Sequence, residues 1–128
     1  MKILLDTHTW IWYLLGDSRL SPKHKRCIEG ADNDVLLSSI SIWEAHLLIE
    51  KGRLVVDQSA GVWIQNALRT LPVREAPLTF AVAARSRALR MEHEDPADRF
   101  IAATAIEMKI PLLTSDEKML ACRDVQFY

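Results

Sequence analysis

Cysteine is scarce in this chain. Its two thiols, Cys27 and Cys122, form no CxxC pair and read as free thiols in a reducing compartment, although two cysteines alone can also form a bridge. Positive charge is not in surplus. Sixteen Lys and Arg stand against seventeen Asp and Glu, for a net charge of -1. A nucleic-acid binder that relied on its overall field would be basic, so any RNA or DNA partner must be held by a local patch or through a metal. Long apolar runs are missing too. No segment approaches the roughly 18 residues of a membrane span, and Asp6 interrupts the short run Met1-Lys2-Ile3-Leu4-Leu5 before it reaches signal-peptide length. The expectation is a soluble protein of the cytoplasm. There is no internal repeat, low-complexity tract or linker. The 128 residues suit one domain, 1–128, with a sizeable core, and 49% hydrophobic residues argue against disorder.

Short apolar runs alternate with helix-like stretches. Lys2 to Leu5 reads as a buried strand, and Thr7 to Leu15 as a helix stopped by Gly16, with Trp10, Tyr13 and Leu14 on one face. Ser21-Pro22 starts a second helix that runs to about Gly30. Val35 to Ser38 is the next strand. A third helix opens at Ser41 and ends near Gly52, and a fourth covers Ser59 to Leu71. Pro72-Val73-Arg74 is read as a short strand and Thr79 to Met91 as a fifth helix. Asp95-Pro96 starts a sixth, ending near Lys109. Leu112 to Thr114 follows as a buried strand, then a short helix over Ser115 to Cys122 and a last strand over Val125 to Phe127. This alternation predicts an α/β fold, a three-layer α/β/α sandwich around a mostly parallel sheet.

The segment Asp95-Pro96-Ala97-Asp98-Arg99-Phe100 sets two carboxylates around a Pro-Ala step, ahead of the small-residue run Ile101-Ala102-Ala103-Thr104-Ala105. Three further acids lie beside strand ends: Asp6 after the first, Glu44 in Ser41-Ile42-Trp43-Glu44 after the second, and Asp116 after Leu112-Leu113-Thr114-Ser115. Ligands of open parallel sheets bind outside the carboxyl ends of the strands, and there these acids can converge. Each has a simpler role available. Ser41 and Glu44 match a capping box, Asp95 an N-cap, Asp98 an N3 acid, and Asp116 a first-turn acid after a Thr114 or Ser115 cap. The joint pattern is what favours a site.

Two carboxylates about 5 Å apart repel by roughly 3 kcal/mol at an effective dielectric near 20. Four converging acids therefore call for protonation or a cation. Oxygen ligands favour Mg²⁺ or Mn²⁺ over zinc. Such an ion keeps water and steadies phosphate charge, which suits phosphodiester hydrolysis.

At these residues the chain resembles the PIN-domain ribonucleases, and among them the VapC-like toxins of bacterial toxin–antitoxin pairs. The matching pieces are Leu4-Leu5-Asp6-Thr7-His8, Ser38-Ser39-Ile40-Ser41-Ile42-Trp43-Glu44, Lys51-Gly52-Arg53-Leu54, the stretch from His93 to Ala103, and Leu112-Leu113-Thr114-Ser115-Asp116. The resemblance implies a divalent-metal endoribonuclease acting on RNA, a homodimer, and a small antitoxin that blocks the site. It places the family's four acids at Asp6, Glu44, Asp98 and Asp116, as catalytic residues and ligands of one or two Mg²⁺ or Mn²⁺ ions. Thr7, Ser41, Asp95, Arg99, Thr114 and Ser115 are the supporting positions, with Asp95 in a capping or outer role and Thr114 or Ser115 as a supporting hydroxyl.

His8 and His93 invite a role as general base, but neither stands at a spacing typical of zinc sites. His24 and His46 read as surface or edge residues. Trp10, Trp12, Trp43 and Trp63 can stack on bases, but at helical spacing such residues more often serve a core or an interface. Arg85, Arg87, Arg90, Arg99, Lys23, Lys25 and Arg26 are candidates for RNA backbone contacts. Arg99 adjoins Asp98 and is placed to steady the acids or bind phosphate. The competing readings are a non-catalytic RNA- or antitoxin-binding module and an Asp-nucleophile phosphatase with Asp6 as nucleophile. The phosphatase usually wants an Asp where His8 stands. A phosphoacceptor receiver needs paired acids by the first strand.

Overall fold

A computed structural model describes residues 1–128. Its elements follow in chain order: β1 (Lys2–Leu5), α1 (Thr7–Leu15), α2 (Pro22–Glu29), β2 (Asp34–Ser38), α3 (Ser39–Glu50), α4 (Ala60–Thr70), β3 (Arg74–Ala76), α5 (Phe80–Ala88), α6 (Pro96–Met108), β4 (Leu112–Leu113) and α7 (Glu117–Leu120). The strands form one sheet in the order β3-β2-β1-β4, and every pairing is parallel. Leu5 lies opposite Leu37 on one side and Leu113 on the other. The carboxyl ends of the central strands therefore share one edge.

Side chains alternate across a strand, and the core divides accordingly. Leu4, Leu36 and Leu112 face α5 and α6, where they pack with Val82, Ile101, Ala102 and Ala103. Ile3, Leu5, Val35, Leu37 and Leu113 face the other way, onto Trp10, Cys27, Ala45 and Ile64 from α1 to α4. A sheet buried on both faces explains why its strands read as continuous apolar runs. The small residues of α6 let it lie close to the sheet, with Ala102 and Ala103 wholly buried. Cys27 and Cys122 are buried free thiols in opposite layers. No helix is long and apolar enough to cross a membrane.

Several boundaries differ from expectation, each for a local reason. Helix α3 starts at Ser39, because Ser38 Oγ accepts the Ile40 amide and caps it. Glu44 thus sits beyond the first turn, and the Ser41–Glu44 capping box does not form. Strand β3 is Arg74–Ala76 rather than 72–74, in register with Leu36 to Ser38. Helix α5 ends at Ala88, short of Met91. The carbonyls of Ser86, Leu89 and Met91 turn onto the Arg99 guanidinium instead of continuing the helical ladder. Asp116 itself caps α7, in place of Thr114 or Ser115. The expected last strand is reduced to a single parallel bridge between Leu112 and Phe127.

Ala103 has no room to grow. Ala103→Leu is expected to lower unfolding free energy by about 1–3 kcal/mol through overpacking, read by urea denaturation. Unchanged stability would contradict the close approach of α6 to the sheet.

Candidate metal-binding active site

Asp6 follows β1 directly and occupies the N-cap position of α1, yet its side chain makes no capping bond. It is 2% exposed. Oδ2 accepts a hydrogen bond of 2.7 Å from the Thr114 hydroxyl at the end of β4. Oδ1 is buried without a hydrogen-bond partner. Burial pushes the Asp6 pKa above its ordinary range, against the pull of the Thr114 bond and of His8. Ser115, the other hydroxyl expected here, is exposed.

Asp98 is the third residue of α6. Asp95 caps that helix by accepting the Asp98 amide at 3.1 Å, and Pro96 supplies the first position. Asp98 is 8% exposed, and its pKa is pushed up to about 7, first by burial and then by Asp6, with Asp95 and Glu44 adding to the rise. The hydrogen bond to His93 works in the opposite sense. His93 Nε2 lies 2.6 Å from Asp98 Oδ2, and one proton serves the pair.

Glu44 reaches the same edge from α3. Its Oε1 is buried and unpartnered, and burial raises its pKa, while Thr7 and His8 lower it. Thr7 Oγ1 and Ser41 Oγ are hydrogen bonded at 2.8 Å, joining the first turns of α1 and α3 in the buried layer. Asp116 completes the edge. Its amide donates to Thr114 Oγ1 and its Oδ1 accepts the Lys118 amide.

These placements gather into two overlapping sets. The ligand atoms of Glu44, Asp95 and Asp98 lie within 4.8 Å of one another, and so do those of His93, Asp98 and Asp116. Asp98 belongs to both. Asp6 is outside these sets but close enough to raise the Asp98 pKa. Asp95 is thus both a cap and a member of the cluster. Acids this close cost several kcal/mol per ionised pair, and two buried carboxylate oxygens have no donor. The residues present therefore fit a divalent cation with mainly oxygen ligands.

The sequence offered His93 as a candidate general base without placing it in the acid cluster; here the segment ahead of Asp95-Pro96 folds back over the first turn of α6 and brings it to Asp98. Arg99 does not touch the acids. Its guanidinium donates to the carbonyls of Ser86, Leu89, Met91 and His93, so it fixes the loop that carries His93. Arg85 and Arg90 are paired with Glu107 and Asp124 at the surface. Trp10 is core, edge-on to Trp63.

A carboxyl group whose folded pKa is raised binds protons more readily in the native state. Its contribution to stability is complete below the unfolded value of 3.8 and is lost as pH rises through the folded one, about 7 for Asp98. In EDTA, the unfolding free energy should therefore fall between about pH 4 and pH 7, and Asp98→Asn should flatten that slope. Urea titrations across this range check it. A wild-type curve that rises over the same interval would contradict the assignment.

A model of the PIN domain matches residues 3–124. The chain is 35% identical over 122 residues to Ribonuclease VapC22 of Mycobacterium tuberculosis, spanning 94% of this chain and 92% of that protein. VapBC2 from Rickettsia felis, solved bound to a DNA fragment from its promoter, superposes with a TM-score of 0.74 at 15% identity, covering 100% of this chain and 98% of that one. A toxin-antitoxin complex from Klebsiella pneumoniae gives 0.67 at 24% identity, covering 96% and 94%. The two solved structures share the fold of this chain. With a family model covering nearly its whole length, the chain belongs to the PIN domain family.

Proposed function

We propose that the chain is a divalent-metal-dependent endoribonuclease, the toxin of a toxin–antitoxin pair, with residues 1–128 acting as one domain on RNA phosphodiester bonds. One observation carries the reading: two ligand sets share Asp98 at the carboxyl edge of the sheet, beside buried carboxylate oxygens that have no donor. The kinship with a ribonuclease over nearly the full chain supports it.

Glu44, Asp95 and Asp98 would hold one Mg²⁺ or Mn²⁺, and the set of Asp98, Asp116 and His93 offers room for a second. Asp6 adds negative charge behind Asp98. An ion held there would neutralise phosphate charge in the transition state and make water a stronger nucleophile. Thr114 fixes one oxygen of Asp6, and the other is left free of any protein donor. His93 Nε2 shares a hydrogen bond with Asp98 Oδ2, which orients that carboxylate. The unpartnered Oε1 of Glu44 can bind the cation or orient the attacking water. Thr7 and Ser41 keep the starts of α1 and α3 together, which holds Asp6 and Glu44 at one edge. The reading includes a cognate antitoxin, supported by the fold shared with the Klebsiella pneumoniae toxin-antitoxin complex, and a homodimer working in the cytoplasm. An aspartyl nucleophile at Asp6 is less well supported, because that carboxylate is almost wholly buried and half engaged by Thr114.

Asp6→Asn and Asp98→Asn are expected to fold and to lose RNA cleavage. EDTA should silence the wild type, and Mn²⁺ or Mg²⁺ should restore it. Gel assays on total RNA read both. Full activity in either variant removes that residue from the site, and RNA binding without cleavage at any metal concentration favours the non-catalytic module. Thr114→Val should weaken Mn²⁺ affinity by about 10- to 100-fold, measured by calorimetry. Wild-type affinity in that variant would show that Thr114 does not organise the ligands.

A further inference from the structure

The acids share their surroundings with an aromatic and cationic feature that metal binding does not explain. A cavity of about 330 Å³ is lined by Asp6 and Asp116 and also by His8, Trp12 and Arg19. The Arg19 guanidinium lies over the Trp12 ring, 4.9 Å from its centroid. Asp17 holds it there through Arg19 Nε at 3.1 and 3.2 Å and Nη2 at 2.7 Å. The same Asp17 accepts the Arg19 amide at 2.9 Å. Nη1 is left without a protein acceptor. The His8 ring sits 6.1 Å from Trp12 on the same helix. A cation lying over an aromatic ring and held by a carboxylate forms a ledge at the mouth of the cavity.

We infer that this cavity receives one unpaired nucleobase of a single-stranded RNA, stacked on the Trp12–Arg19 ledge, with Arg19 Nη1 on the neighbouring phosphate. The inference rests on the ribonuclease reading and adds to it the residues that seat one base beside the acids. Bases splayed from a single strand stack on aromatic rings and on guanidinium planes, whereas those of a duplex keep their faces covered. The cavity takes one base, not a helix. Because Asp6 and Asp116 line the same space, a base seated there sets its own phosphodiester beside the metal ligands. The ledge therefore determines which bond is presented.

The test places each substitution in a full-length Asp98→Asn chain, so that the RNA survives, and measures anisotropy with a labelled mixed-sequence single strand, the matching duplex and an arginine-rich peptide. The parent should prefer the single strand. Trp12→Ala and Arg19→Ala should each weaken that binding by roughly 5- to 150-fold, while Trp12→Phe retains most of it. In chains that keep Asp98, Trp12→Ala should leave Mn²⁺ affinity unchanged by calorimetry, which separates a substrate role from a structural one. Equal RNA binding by Trp12→Ala overturns the ledge, and metal-dependent cleavage by the wild type would then leave the ribonuclease reading standing. Equal affinity for the duplex, a loss of Mn²⁺ affinity in Trp12→Ala, or an effect confined to the peptide also overturns it. A parent that binds no RNA, together with a wild type that cleaves none, overturns both readings.

Discussion

Carboxylates forced together at the edge of a parallel sheet are the constraint on which the rest of this molecule depends. Asp6, Glu44 and Asp98 come from three separate elements, and burial disfavours the charged form of each. Asp98 is buried and lies near Asp6, Asp95 and Glu44 at once, and all four factors raise its pKa. A fold gains nothing in stability from such a cluster unless a proton or a cation neutralises it. An ion with oxygen ligands meets that need without protons, which links the energetics of the fold to its chemistry.

The scaffold around the cluster is polar where it needs to be rigid. Thr114 bridges the end of β4 to Asp6 and to the Asp116 amide. Thr7 and Ser41 tie α1 to α3. Arg99 gathers four carbonyls, Ser86 from the last turn of α5 and Leu89, Met91 and His93 from the segment between α5 and α6. These bonds satisfy buried donors and acceptors that would otherwise be costly, and each also fixes a residue that bears on the acids. Beneath them, two apolar layers on the sheet hold the three carboxyl ends in register. The small residues of α6 set the distance at which Asp98 meets the others.

The alternation of apolar runs and helices made the parallel sheet legible, because strands buried on both faces carry their signature in composition alone. Asp6 and Asp116 were legible for a related reason, because a parallel sheet brings the residues just after its strands to one edge, whereas Glu44 and Asp98 lie on helices and were marked only by the motifs around them. Decisions made by contacts distant in the chain were not legible. Ser38, Ser39 and Ser41 are all competent caps, and the Thr7 hydroxyl, 34 residues away, engages Ser41 and leaves Ser38 to start α3. The early end of α5 depends on an arginine eleven residues beyond its last turn, and nothing in the local sequence marks it. His93 lay in a segment without periodicity. Its approach to Asp98 follows from the path that Arg99 imposes on that loop.

The most direct measurement is anomalous scattering from crystals of the full chain soaked in Mn²⁺. The account predicts a peak in contact with the Asp98 carboxylate, shared with Glu44 and Asp95 or with Asp116 and His93. A peak coordinated by other residues, or none at saturating Mn²⁺ with the acids still converging, would contradict it.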